Sequence, residues 1–321
     1  MQEVVTKKGS FEYLRVSVTD RCNLRCIYCM PAEGIKKVGH DQILRYEEII
    51  EVIKAAVSEG VFRVRITGGE PLTRKGVHNL IKDVAQIPEI TDLSMTTNGL
   101  LLPENARQLR DAGLMRINIS LDSLDSKKYS EISRGGSLSK VLMGIDEAVK
   151  LGFDPVKINV VVLPGFNDNE VFSFASLAYE KRLHVRFIER MPFAAGEAGA
   201  KFIPAGALLE ELKQKFELHP EPRVPGGGPA EMYSLKSGKG RVGFISPMSN
   251  PFCASCNRLR LTATGILRPC LDSEFGISIR NLPVQEIKSV ITQLSQHKHK
   301  SAKPCAQFQT ARCVSLSDLG G

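Results

Sequence analysis

The stretch YLRVSVTDRCNLRCIYCMP, residues 13–31, runs from an alternating β-branched segment straight into a loop that spaces Cys22, Cys26 and Cys29 as C-x3-C-x2-C. The first half reads as a strand, so the three thiols stand at a strand's C-terminal end. Three thiols in one loop cannot all pair as disulfides, and a structural zinc site closes its tetrahedron with four protein ligands. An iron-sulfur cubane on three cysteines keeps one iron open to an exogenous molecule. A zinc loop completed by a distant ligand, or three unrelated buried cysteines, is the competing reading.

Outward from this stretch, short β-branched runs recur at 62–67, 92–97, 116–121, 156–162 and 185–189. Between them, segments 46–59, 75–86, 104–112, 139–151 and 169–182 repeat apolar residues every three or four positions, as amphipathic helices do. Six βα units predict an α/β fold with a parallel sheet, an incomplete TIM-like (β/α)6 barrel whose chemistry gathers at the C-terminal ends of the strands. The motifs obey that rule. GGEP (Gly68 to Pro71) follows the second strand, TTNG (Thr96 to Gly99) the third, and SLDS (Ser120 to Ser123) ends the fourth. Near residue 195 the pattern changes, and a second region is expected over 201–321 after a barrel over 1–200. It holds a helix-like GALLEELKQKF, a loop with PGGGP at 225–229, two hairpins (MYSLKSGKGRVGFI and RLRLTATGILRPC) and a polar tail with Lys298, Lys300 and Lys303.

Composition narrows the class. The chain has 321 residues, 42% hydrophobic and 24% charged, as soluble globular proteins do. No run approaches the roughly 18 apolar residues of a membrane span, and MQEVVTKKGS lacks a signal peptide's apolar core, so no membrane role and a cytoplasmic location are expected. The +8 net charge suits an anionic partner. Its basic residues are spread along the chain without an RNA-binding aromatic signature, so nucleic acid is not the expected partner. Six of the eight cysteines fall into two tight groups. In a reducing compartment that points to metal before disulfides. The second group, in FCASCNRLRLTATGILRPC, is Cys253, Cys256 and Cys270: three again, with zinc as the serious rival to a second cluster.

On these motifs the chain resembles the radical S-adenosylmethionine enzymes, and within them the GTP 3',8-cyclase family that begins molybdenum cofactor biosynthesis. YLRVSVTDRCNLRCIYCMP, RITGGEPLTR, TTNGLLL, INISLDSL, VKINVVV, VRFIERMPF and FCASCNRLRLTATGILRPCL stand in the family's order, followed by its terminal Gly320 and Gly321. C-x3-C-x2-C alone names only the superfamily; the second trio followed by Asn257, Arg258, Leu259 and Arg260 narrows it. The resemblance implies two 4Fe-4S clusters, on Cys22, Cys26 and Cys29 and on Cys253, Cys256 and Cys270. At the first, S-adenosylmethionine yields a 5'-deoxyadenosyl radical, the cofactor carrying the hard step. Tyr28, Gly69, Ser120 and Met191 match positions that hold this cofactor. Arg15, Arg65, Thr96, Lys157, Arg258, Leu259 and Arg260 match positions that hold GTP. Arginine suits a triphosphate because its planar fork bonds two oxygens at once. Arg186 is a further candidate for the anionic cavity, the alternative being that Asp122 and Glu189 neutralise it.

The implied reaction abstracts the C3' hydrogen of GTP and joins C3' to C8, giving (8S)-3',8-cyclo-7,8-dihydroguanosine 5'-triphosphate. No acid-base residue is implied; the tail Gly320 and Gly321 are expected to reach the site. The implied partners are a low-potential electron donor and the downstream cyclic pyranopterin monophosphate synthase, and a homodimer is compatible with the resemblance. The chain departs from the pattern in having no Trp, in the segment CLDSEFGISIR, and in a tail with Cys305 and Cys313, which match no ligand position. A peptide-modifying radical enzyme and a zinc-stabilised nucleic-acid module stay open as alternatives at the level of sequence.

Overall fold

The computed structural model describes residues 11–35, 38–192, 201–222, 228–271, 273 and 275–300. The expected βα series is present. Strands β1 (Tyr13–Ser17), β2 (Arg63–Thr67), β3 (Asp92–Thr97), β4 (Arg116–Ser120), β5 (Val156–Val162) and β6 (Leu183–Glu189) alternate with helices. These are α1 (Tyr46–Ser58), α2 (Val77–Ala85), α3 (Leu102–Asp111), α4 (Ser126–Ser133), α5 (Leu138–Lys150) and α6 (Val171–Glu180). Helix α4 was not anticipated. It is short, and its start is set by Asp125, whose carboxylate accepts the Lys127 and Lys128 backbone N–H groups, both at 2.9 Å.

The region after residue 200 adds α7 (Ala205–Lys213), β7 (Leu218–Pro220), β8 (Glu231–Leu235), β9 (Arg241–Ile245), β10 (Arg258–Leu261), β11 (Ile266–Arg268), β12 (Ile277–Ser278) and α8 (Val284–Lys300). Both expected hairpins form, β8 with β9 and β10 with β11, each antiparallel. Part of the expected polar tail is instead helical. In α8, Ile287, Ile291 and Leu294 are buried at helical spacing, and the helix packs on α1.

The described strands share one sheet in the order β12-β11-β10-β1-β2-β3-β4-β5-β6-β9-β8-β7. Strand β10 runs parallel to β1, and β9 parallel to β6. The parallel run therefore extends past the six expected strands at both ends, using strands from the C-terminal region. The result is an open, TIM-like barrel with an antiparallel hairpin on each flank.

Alternation along each strand sorts its side chains onto two faces. Leu14, Val16, Val64, Ile66, Leu93, Met95, Ile117, Ile119, Leu259 and Leu261 are buried in the apolar core. A buried Leu, Val or Ile contributes roughly 1.5–3 kcal/mol. The opposite parity faces the barrel interior and is polar: Arg15, Arg65, Ser94, Thr96, Asn118, Lys157, Asn159 and Arg186. One register row sets Arg260, Arg15 and Arg65 side by side on three adjacent parallel strands. An interior this charged is built for contents, since like charges packed together oppose folding.

Candidate active site

A cavity of about 320 Å³ opens at the C-terminal ends of the strands. Cys22, Cys26 and Cys29 line one wall. Their loop is shaped by its own backbone: Cys26 O accepts from Cys29 N at 2.9 Å and from Met30 N at 3.2 Å. The Arg134 guanidinium, reaching from the end of α4, donates to Arg25 O at 2.9 Å and Met30 O at 2.8 Å. Gly68 and Gly69 form the bed beneath. A Cβ on Gly69 would lie 2.4 Å from Arg21 O, so this glycine lets the second strand's turn touch the backbone just ahead of Cys22. Gly69 also lines the cavity, as do Tyr28, Ser120 and Met191.

The thiols of this set share a low-dielectric, acidic setting. Burial pushes the Cys26 thiol well up, with Asp122 and the neighbouring thiols adding to the rise. Burial also raises Cys22, against hydrogen bonds to its sulfur from Leu24 N at 3.4 Å and Asn98 Nδ2 at 3.8 Å. Asp122 accepts from the Tyr28 hydroxyl at 2.7 Å and from Val161 N at 2.8 Å, and burial lifts its carboxyl to about 6. Glu70 is fully buried and pushed up to about 7 by desolvation, against hydrogen bonds from Asn98 N, Leu72 N and the Thr97 hydroxyl. Glu70 thus ties the loop after β2 to the loop after β3, and Asp122 ties the loop after β4 to the cysteine loop after β1.

The opposite wall is cationic. Arg15, Arg65, Arg258 and Arg260 all line the cavity, with Thr96 beside them. Desolvation pulls Arg15 well down from its ordinary value, and Arg260 and Arg65 add repulsion. Arg260 falls to about 10, through burial first and Arg258 second. Arg65 Nε donates to Ser94 Oγ at 3.2 Å, and Arg258 lies over the Phe252 ring at 5.4 Å. Buried Arg260 Nη1 and Thr96 Oγ1 have no hydrogen-bond partner among the described residues. Buried polar atoms left this way call for a ligand.

Arg186 also lines the cavity, and the two carboxylates of the alternative reading, Asp122 and Glu189, are engaged elsewhere. It donates to Asn159 Oδ1 at 3.0 Å and Asn118 Oδ1 at 2.7 Å, which orient the guanidinium without neutralising it. Burial and neighbouring Arg65 bring it down to about 9. Asp122 holds Tyr28, while Glu189 accepts from Ala205 N, Met248 N, and both the N–H and hydroxyl of Ser249.

Two expected contact residues stand apart. Lys157 is not in the cavity wall; it sits one inward-facing position below Asn159, beside His184, and burial and Arg186 lower it to about 6. Leu259 is wholly buried in the core on the other face of β10, because Arg258 and Arg260 take the inward parity. Its side chain cannot meet a substrate.

The second cysteine set stands at the cavity's rim. Cys253, Cys256 and Cys270 are absent from the wall, whereas their neighbours Phe252, Arg258 and Leu271 are in it. Burial pushes the Cys256 thiol up, but nearby Arg258 and Lys298 together bring it down to about 7. Lys298, on α8, is the residue that sequence reasoning missed here. Its signal was present: it continues the Ile287, Ile291, Leu294 stripe at the next helical step. Gly320, Gly321, Cys305 and Cys313 lie outside the described residues.

Both sets fit thiolate-bound clusters. None of the six cysteines is in a disulfide. Among the described residues no three His, Cys, Asp or Glu side chains close on a single ion position. A cubane asks for a wider arrangement, since each thiolate binds a different iron. The amide and ammonium donors directed at Cys22 and Cys256 are of the kind that support cluster sulfurs.

Comparison with known proteins agrees with this geometry. The Radical SAM superfamily model matches residues 16–178, and the Molybdenum Cofactor Synthesis C model matches residues 183–304. The fold and the three-thiol loop thus define a radical SAM protein. A GTP 3',8-cyclase of Pelotomaculum thermopropionicum is 50% identical over 269 residues, covering 83% of each chain. One from Alkaliphilus metalliredigens is 46% identical over 322 residues, 98% of this chain and 99% of that one. The chain belongs to the GTP 3',8-cyclase family. Among solved structures, Streptococcus suis SuiB bound to precursor peptide SuiA superposes with a TM-score of 0.65 at 14% identity, covering 91% of this chain and 67% of that one. For anSMEcpe with bound AdoMet the score is 0.58 at 16% identity, covering 90% and 79%. These two share the fold.

Proposed function

We infer that this chain is a GTP 3',8-cyclase of the molybdenum cofactor pathway, using S-adenosylmethionine and two 4Fe-4S clusters. Cys22, Cys26 and Cys29 would hold the first cluster, which with S-adenosylmethionine and one electron would supply radical chemistry at C3' of GTP; closing C3' onto C8 would then take one further electron and a proton. The observation that carries the residue assignment is the row Arg260, Arg15 and Arg65 on adjacent strands, facing the same cavity as Cys22, Cys26 and Cys29. A triphosphate is the anion that offsets so many buried cations.

In this reading each wall has one task. Cys22, Cys26 and Cys29 hold the first cluster; Gly69, Ser120, Met191 and Tyr28 shape the pocket for S-adenosylmethionine. Asp122 fixes the Tyr28 ring by accepting its hydroxyl hydrogen. Arg15, Arg65, Arg258 and Arg260 bind the phosphates, with Thr96 offering its hydroxyl. Arg186, steered by two asparagine carbonyls, presents a further cation from β6. Lys157, brought down to about 6 by burial and Arg186, would take up its proton and join the cationic wall from beneath when a triphosphate binds above it. Cys253, Cys256 and Cys270 hold the second cluster at the base end of the substrate. The ribose is thereby presented between fixed ends, and positioning decides which hydrogen leaves.

The division at residue 200 is proposed as the boundary between a region carrying the first cluster and one carrying the second. The proposed setting is the cytoplasm; among the described residues no helix is long and apolar enough to cross a membrane. The proposed partners are a low-potential electron donor, the downstream cyclic pyranopterin monophosphate synthase and a second copy of the chain. Anaerobic protein given reductant, S-adenosylmethionine and GTP deuterated at C3' should form 5'-deoxyadenosine one deuterium heavier. Unlabelled 5'-deoxyadenosine formed independently of GTP would leave the first cluster standing and remove the cyclase assignment.

A further inference from the structure

Lys298 occupies the next helical position after Ile287, Ile291 and Leu294, on the face of α8 that is buried against the barrel. Lys298 itself is half-buried at the end of this stripe, and an ammonium so placed needs its hydrogen-bonding capacity met. All three of its N–H donors go to the second cysteine set. Nζ donates to Cys256 Sγ at 3.4 Å, to Arg258 O at 2.7 Å and to Pro269 O at 2.8 Å. The ammonium also lies over the ring of buried Phe11, 5.2 Å from the centroid.

These acceptors come from two separate arms. Cys256 lies in the loop before β10 and Arg258 is that strand's first residue; Pro269 immediately precedes Cys270, just after β11. The β10–β11 ladder brings these arms side by side through Arg260 and Arg268, and Lys298 adds a second tie beyond the end of the ladder, where the thiols stand. One ammonium therefore joins the arm carrying two thiols to the arm carrying the third. Its contact with Cys256 Sγ is a charged hydrogen bond to a sulfur that carries negative charge when it binds iron. Hydrogen bonds to cluster sulfurs and nearby positive charge favour the more negative, reduced state.

We propose that Lys298 is a positioning residue for the second cluster, clamping the two cysteine arms together and raising that cluster's reduction potential through its hydrogen bond to Cys256. The inference rests on the two-cluster reading, and iron analysis separates the two. Full-length wild-type protein should hold about eight irons if both sets carry cubanes. About four irons, or zinc, would remove both readings together.

With eight irons confirmed, the second cluster's midpoint is read by EPR-monitored redox titration, a Cys26→Ala chain identifying which signal belongs to the second set. Lys298→Met should shift the reduction equilibrium roughly tenfold toward the oxidised form, about 59 mV for a one-electron couple. Lys298→Arg, which keeps charge and donors, should return most of the shift. An unshifted midpoint in the fully loaded Met variant would overturn the proposal. If the Met variant loses the second cluster, recovery of loading in the Arg variant supports the clamp, and loss in both variants overturns it.

Discussion

The two cysteine sets are three thiols each, the first on one loop after β1 and the second on two arms flanking the β10–β11 hairpin, and their electrostatic surroundings are opposite. The first faces carboxylates: Asp122 and buried Glu70 stand by it, and Cys26 is pushed well up. The second faces cations: Arg258 and Lys298 bring Cys256 down to about 7 against the effect of burial. Negative surroundings favour the oxidised form of a cluster and make its reduced form a stronger electron donor. Positive surroundings favour the reduced state and attract an anionic ligand. The contrast matches a division of labour in which one site gives an electron away and the other holds a polyanion.

The strongest way to break the comparison is to remove one thiol from each side. Cys26→Ala should abolish S-adenosylmethionine cleavage, measured as 5'-deoxyadenosine released. Cys256→Ala should retain that cleavage and the first cluster's EPR signal while cyclised nucleotide is lost. Equal loss of cleavage in both variants would end the idea of separate tasks.

Next in size is the cationic wall. Arg258→Ala and Arg260→Ala should each weaken GTP binding by roughly 1.5–3 kcal/mol per charged hydrogen bond lost, about tenfold to a hundredfold in Kd. Equilibrium dialysis under anaerobic conditions reads it, with S-adenosylmethionine binding as the control that should not move. Unchanged GTP affinity would take the phosphates away from this row.

A smaller contrast is visible without iron. In the apo-protein the thiolate is the nucleophile, and a group with a pKa of about 7 gains thiolate as pH rises through that value. Alkylation of Cys256 by iodoacetamide, followed by peptide mass spectrometry, should therefore rise about tenfold between pH 6 and pH 8. Cys26, raised by burial, should stay largely unlabelled across the same range. Comparable labelling of the two would contradict the opposed surroundings. The smallest effect belongs to Asp122→Asn, which removes one negative neighbour of Cys26. It should increase Cys26 labelling on the order of a few-fold and leave Cys256 as it was.

What was legible in the sequence depended on how local its cause is. The six barrel strands follow from alternation and β-branching within five to seven residues, and the structure carries them close to the expected limits. Motif loops were placed at the strand ends by the same logic. Register across the sheet is not local, so the companionship of Arg15 with Arg65 and Arg260 was visible only as three separate arginines. The same blindness left Arg186 between two readings: its partners, Asn118 and Asn159, come from two neighbouring strands and leave it in the cavity, whereas charge alone kept Asp122 and Glu189 open as an alternative. Leu259 shows a subtler loss. It lies inside a motif whose flanking arginines face the cavity, and strand parity sends its side chain the other way. Helix α8 was missed because its polar residues, including Lys298 and His297, outweighed a narrow apolar stripe. The strands β9 and β10 were expected as hairpins, but their parallel seats beside β6 and β1 join segments too distant for any pattern to announce.

That last pairing also has a consequence in time. Strand β1, which leads into the first cysteine loop, is flanked on one side by β10, and Asn257 reaches Glu12 across 245 positions of chain. A ribosome adding roughly 5–20 residues per second exposes β1 tens of seconds before it supplies that neighbour. Until then the first cysteines emerge on a strand with an open edge. The first cysteine loop thus gains its flanking strand only after some 245 further positions of chain are made, and iron delivered after that meets a finished cradle where iron delivered earlier does not.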